Sequence, residues 1–148
     1  MRSHFKSLFT PQNPGKYVGN ISNIVARSKW EYDFFKFCDA NPSVLKWGSE
    51  EIIVPYYSPV DNKVHRYFPD VFVELKTKSG EIKKMLVEIK PLVQTKPPRV
   101  PKRQTPHYIN EVTTYIVNQA KWEAATEFCL KAGMEFRVIT ERELYGNK

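Results

Sequence analysis

The stretch Met85-Leu86-Val87-Glu88-Ile89-Lys90 reads as a β-strand with charges set into it. Met85, Val87 and Ile89 alternate with Leu86, Glu88 and Lys90. Period-two geometry therefore sends Glu88 and Lys90 to one face, with Cα atoms about 6.5–7 Å apart. Eighteen residues before Glu88, Asp70 lies between Tyr67-Phe68-Pro69 and Val71-Phe72-Val73. Charged side chains in runs this apolar are rarely fully buried without a partner or an ion. The plain alternative is a Glu–Lys ion pair, with Asp70 merely starting a strand after the proline. In this order, and on strands expected to be neighbours, the two motifs favour a shared site for two carboxylates and an amine.

A third carboxylate belongs with them. Residues 28–38 read as helix, and Glu31, Phe34, Phe35 and Cys38 fall at i, i+3, i+4 and i+7, on one stripe. Glu31 is thus expected on the apolar face. The alternative puts it at the stripe's rim, where an acid near a helix start favours the macrodipole. Asp33 and Lys36 read as ordinary solvated charges.

These residues give the chain its resemblance to the PD-(D/E)XK nuclease superfamily. The match lies in Pro69-Asp70, Glu88-Ile89-Lys90, and an upstream helix carrying Glu31 after a serine and an aromatic. Within the superfamily it is most similar to the branch of transposon end-cleaving endonucleases and head completion nucleases of T-even-type phages. The stretches Arg66-Tyr67-Phe68-Pro69-Asp70 and Val87-Glu88-Ile89-Lys90-Pro91 favour the latter group, and the likeness spans about residues 20–142. It implies a restriction-endonuclease-like α/β core of order α-β-β-β-α-β, a mixed central sheet flanked by helices.

The resemblance also implies roles. Glu31, Asp70 and Glu88, with the backbone oxygen of Ile89, would hold one or two Mg²⁺ ions, Mn²⁺ serving as a substitute. Lys90 would activate or orient the attacking water. Mg²⁺ chemistry fits such residues, since the ion prefers hard oxygen ligands and acidifies bound water. Relatives often carry a Gln or Lys on the next helix. Gln119 is the candidate here, on a stripe with Val112, Tyr115, Ile116 and Trp122, although an ordinary surface or capping Gln is as good a reading.

Charge points to a polyanion. Lys and Arg outnumber Asp and Glu by 23 to 16, a net +7. Residues 1–30 hold Arg2, Lys6, Lys16, Arg27 and Lys29 and no acid. Residues 91–108 hold Lys96, Arg99, Lys102 and Arg103, again with none. Both stretches are expected to meet DNA phosphates. A solvated connector is the competing account of the second.

The 148 residues, 41% hydrophobic and 14% aromatic, suffice for one packed domain. Residues 1–20 are expected as a basic, irregular arm, and 21–148 as a single domain with a Pro-rich basic loop at 91–108. A helix is expected over 23–39, strands over 45–56, 63–75 and 81–90 in a β-meander, and turns at 58–62 and 78–80. Five prolines from Pro91 to Pro106 exclude regular structure between them. A helix over 108–132 should stop at Gly133, before a strand over 134–139 and a helical turn over 141–145. Cys38 and Cys129 read as buried thiols in a reducing compartment. With no signal-like or membrane-spanning run, the chain is expected to be soluble and unsecreted.

The expected function is a Mg²⁺-dependent DNA endonuclease acting in phage head completion. It would work on packaged DNA ends, in the host cytoplasm during assembly and then at the head–tail junction of the virion, with portal or neck proteins as partners. The alternatives are a non-catalytic DNA-binding or head–tail structural protein that keeps the fold, and an endonuclease of transposition or restriction.

Overall fold

The computed structural model describes residues 6–146. Four strands form the central sheet: β3 (Val44–Ser49), β6 (Val71–Lys76), β7 (Ile82–Ile89) and β8 (Glu135–Ile139), in the order β3-β6-β7-β8. The first two pairings are antiparallel, and β7 with β8 is parallel. A parallel pair needs a crossover, supplied by the 27-residue helix α2 (Pro106–Ala132). Helix α1 (Lys29–Ala40) covers one face of the sheet and α2 the other. This is the expected α/β architecture, a mixed sheet between helices, of the restriction-endonuclease-like kind.

The sheet's side chains divide between two cores. Val71, Val73, Met85, Val87 and Ile89 pack with Phe34, Phe35 and Cys38 of α1. Leu86, with Phe72, Phe136 and Val138, packs under Trp122, Ala125 and Cys129 of α2. The alternation read from β7 thus sends Glu88, like Leu86, to the α2 side. Cys38 and Cys129 are both buried and unpaired, one in each core. Among the described residues, no helix is long and apolar enough to cross a membrane.

Local chemistry corrects several expected boundaries. The first helix starts at Lys29, not near residue 23, because β2 (Val25–Ala26) pairs with β1 (Ser7–Leu8) and Ser28 caps the helix by accepting from the Glu31 amide at 3.1 Å. Helix α2 opens on Pro106 behind a Thr105 cap, and ends at Gly133 with φ 71, as expected.

The expected meander is interrupted. Residues 45–56 break at Glu50, whose φ is 54, and residues 63–75 break at Phe68-Pro69-Asp70. Between the breaks, β4 (Val54–Ser58) and β5 (Lys63–Tyr67) form a separate antiparallel hairpin packed on α2, so β3 pairs directly with β6. The Pro-rich segment is irregular apart from one 3-10 turn, Leu92–Thr95. A final short helix, α3 (Glu141–Tyr145), closes on the Thr140 capping box.

The lead-in, expected to be unpacked, is packed where it is described; residues 1–5, including Arg2, lie outside the described residues. Phe9 is only 5% exposed and Tyr17 is 9% exposed, both against Trp47. Burying a ring like that of Phe9 contributes about 1.5–3 kcal/mol. Buried Asp39 accepts from the amides of Gln12 and Asn13 at 2.9 and 3.0 Å, tying the segment to the end of α1. Val18 donates to the Trp47 carbonyl at 2.7 Å, and the approach is so close that a Cβ on Gly48 would meet the Val18 oxygen at 2.6 Å.

Candidate active site

Two backbones place the central acids. The register Val71↔Val87 brings Asp70 beside Glu88 and Ile89, and Asp70 Oδ2 accepts from the Ile89 amide at 2.7 Å. Glu88 is 8% exposed, with Oε1 accepting from the Tyr67 hydroxyl at 2.6 Å. Lys90 Nζ lies 3.8 Å from Glu88 Oε2. Asp70, Glu88 and Lys90 are therefore gathered at one point.

Their electrostatics follow from burial. Desolvation pushes the Asp70 carboxyl well above its ordinary range. The neighbouring charges of Glu88 and then Glu31 push it further, against the Ile89 amide and Lys90. Desolvation raises Glu88 as well, opposed by the Tyr67 hydroxyl, Lys90 and Lys121. Burial and then the Glu88 charge raise Tyr67, which keeps its proton and remains a donor. Two dehydrated carboxylates, with the charge of Glu88 raising the proton affinity of Asp70, form a strong locus for positive charge.

Glu31 stands apart from the pair. It is half-buried, and its Oε1 accepts from the Arg27 amide at 3.1 Å, back toward the start of its own helix. Burial raises it most, and the charges of Glu50 and Glu88 add to that. Its charge acts on Asp70, yet among the described residues no three His, Cys, Asp or Glu side chains stand close enough to hold one metal ion. Helix α1 lies on the sheet face opposite the one to which Glu88 projects, which explains the separation. A Mg²⁺ site needs only one or two carboxylates, the remaining ligands being water or substrate oxygens. Asp70 and Glu88 fit that requirement.

Gln119 is exposed rather than sited among apolar groups, so nothing in its setting ties it to the site. The buried stripe of α2 runs through Asn118, Trp122, Ala125 and Cys129, and Gln119 falls outside it. Lys121, on the flank of that stripe, does enter the site. Its Nζ sits 5.5 Å from the Tyr67 ring centroid and 5.9 Å from that of Tyr56. Burial lowers its pKa, and the Glu88 charge pulls it back up. Sequence reasoning missed Lys121 and Tyr67. A lysine flanking an apolar stripe, and a phenol three residues before Asp70, were the available signals.

The basic residues fall into two sets. Lys96, Arg99, Lys102 and Arg103 are exposed, and none has an ion-pair partner among the described residues. Their loop leaves directly from Lys90 and is pinned by the Leu92 amide on Glu141 Oε1 at 2.8 Å. Arg27 and Lys29 are engaged internally: Arg27 with Glu50 at 2.6 Å, and Lys29 with Asp33 at 2.8 Å.

Paired strand carboxylates, a lysine two residues beyond the second, and a mixed sheet between helices define a class of DNA-cutting enzymes. The chain belongs to the family described as TnsA-like endonuclease N terminal, matched over residues 41–141. That match contains Asp70, Glu88, Lys90 and Lys121 and begins after Glu31. The chain is also 38% identical over 141 residues to the head completion nuclease of Enterobacteria phage T4, covering 93% of this chain and 91% of that protein. No solved structure matches. The protein is an endonuclease, and DNA is its substrate.

Proposed function

We propose that the chain is a Mg²⁺-dependent DNA endonuclease that processes packaged genome ends in phage head completion. The observation that carries the metal-dependent reading is the Asp70–Glu88 pair, whose mutual repulsion in a dehydrated setting is best relieved by a hard divalent ion. Asp70, Glu88 and the Ile89 carbonyl would hold that ion. When bound, it would supply an acidified water and Lewis-acid polarisation of the phosphate.

The chain's own residues account for the rest. The Tyr67 hydroxyl and the Ile89 amide fix the rotamers of Glu88 and Asp70. Lys90 would orient the attacking water and offset negative charge growing on the phosphoryl oxygens as the new P–O bond forms and the bridging P–O bond breaks. Lys121, half-buried between two tyrosines, adds a second cation on the Glu88 side. Glu31 carries its negative charge at the site's margin and tunes Asp70. The loop cations Lys96, Arg99, Lys102 and Arg103 would receive backbone phosphates of the strand in the cleft.

The phage role rests on the likeness to the T4 protein over nearly the whole of both chains. It entails assembly in the host cytoplasm, a place at the head–tail junction, and a portal or neck protein as partner. The TnsA-like family match keeps cleavage in transposition as the second reading. A plasmid-nicking assay tests the enzymatic claim. Cleavage should need Mg²⁺, stop with chelator, resume with Mn²⁺, and be lost in Asp70→Ala. Chelator-resistant nicking, or equal nicking by Asp70→Ala, would overturn it.

A further inference from the structure

Glu50 is absent from the motif set, yet it links both arms of the acid site. It closes β3 in the left-handed region, φ 54, a conformation that is strained for a non-glycine residue. Its amide donates to the Asp70 carbonyl at 3.1 Å. Its carboxylate holds the Arg27 guanidinium at 2.6 Å, and the Arg27 amide in turn donates to Glu31 at 3.1 Å. The guanidinium is thus kept on Glu50 while its own backbone touches Glu31.

An unrestrained guanidinium there would find better partners. The Glu88 side chain is 10% exposed against 34% for Glu50, the Glu31 carboxylate already accepts from the Arg27 amide, and a bidentate Arg–carboxylate pair is strong in dehydrated surroundings. Arg27 would then occupy the negative charge that attracts a divalent ion. We propose that Glu50 is a positioning residue that holds Arg27 off the acid site and so preserves its affinity for the ion. The inference deepens the metal-dependent reading and rests on it.

Ordinary stabilisation is the rival account. Arg27 and Glu50 side chains are 54% and 34% exposed, and ion pairs that exposed contribute little to stability. A purely structural pair would therefore leave ion binding unchanged. The test measures Mn²⁺ binding to the whole protein, without DNA, by calorimetry or by the loss of free-ion electron paramagnetic resonance signal.

Glu50→Gln should weaken Mn²⁺ binding by about tenfold, the usual scale for a group acting behind the ligands. The double variant Arg27→Gln with Glu50→Gln should recover most of that loss, because no loose guanidinium remains. Unchanged binding in Glu50→Gln would overturn the proposal, as would a double variant as weak as the single one. Asp70→Asn is the control: binding as tight as wild type would overturn the metal-dependent reading itself, and the positioning role with it.

Discussion

Strands β6 and β7 hold their functional groups by backbone register, whereas helices α1 and α2 hold theirs by side-chain reach, and the two kinds of placement differ in rigidity. Asp70 and Glu88 are fixed by a ladder that leaves their neighbours Val71 and Val87 fully buried. Each carboxylate is then locked by one short hydrogen bond. Glu31 and Lys121 approach from opposite layers, one bonded back to its own helix start and the other resting on two aromatic rings. The site has a stiff centre built from strands and an adjustable margin built from helices.

The largest expected effect falls on the centre. Asp70→Ala should lower the rate of plasmid cleavage by at least about 10³-fold while leaving salt-sensitive DNA binding nearly intact. Binding and cleavage lost together would mean that the strand pair serves affinity, and the contrast with the margin would collapse. Lys90→Ala comes next, with kcat falling by about 10²-fold and DNA affinity changing little.

Lys121→Met sharpens the contrast at the margin. A cation placed by reach should contribute less than one placed by strand register, about tenfold in kcat, and Lys121→Arg should restore part of it. Gln119→Ala, exposed on the same helix, should change neither rate nor affinity. Inverted results for Lys121 and Gln119 would return the helix contribution to Gln119.

The same division governs what the sequence revealed. Asp70, Glu88 and Lys90 were legible because alternation along β7 and the Pro69-Asp70 step determine strand faces without reference to distant residues. Glu31 was legible as a stripe residue, but its reach depends on how α1 sits across the sheet. The phase of α2 misled, since Val112, Tyr115 and Ile116 belong to the helix's first half, and its members of the packed core begin at Val117. The burial of Phe9 and Tyr17 depends on Trp47, and the seating of their segment on Asp39, so no local pattern in residues 1–20 announces it. Glu50 was hidden for a related reason, because nothing local marks a left-handed glutamate.

The centre's stiffness has a stability signature. Tyr67→Phe removes the 2.6 Å donor from a carboxylate that is 8% exposed, leaving one oxygen of Glu88 short of a partner. The cost should be about 1–3 kcal/mol in urea unfolding, the penalty for an unsatisfied buried polar group. Added Mg²⁺ should recover part of it, since an ion bound only by the folded state stabilises that state. A neutral Tyr67→Phe would show that Glu88 is held by the ladder alone.

The smallest expected effect belongs to the loop that joins centre to margin. Lys96, Arg99, Lys102 and Arg103 lie on the segment that leaves from Lys90, are exposed, and lack acidic partners among the described residues. Prolines at 91, 97, 98 and 101 restrict the unfolded ensemble, so ordering the segment against a nucleic-acid strand loses less entropy than for a free chain. Replacing all four cations with glutamine should weaken binding to unrelated duplexes alike. The slope of log affinity against log salt should become shallower by roughly 0.9 for each phosphate that is no longer neutralised. Because these cations read no base edges, cleavage preference should not move, and turnover at saturating DNA should stay near wild type. An unchanged salt slope would leave the loop to a protein partner, and the margin of the site would then end at Lys121.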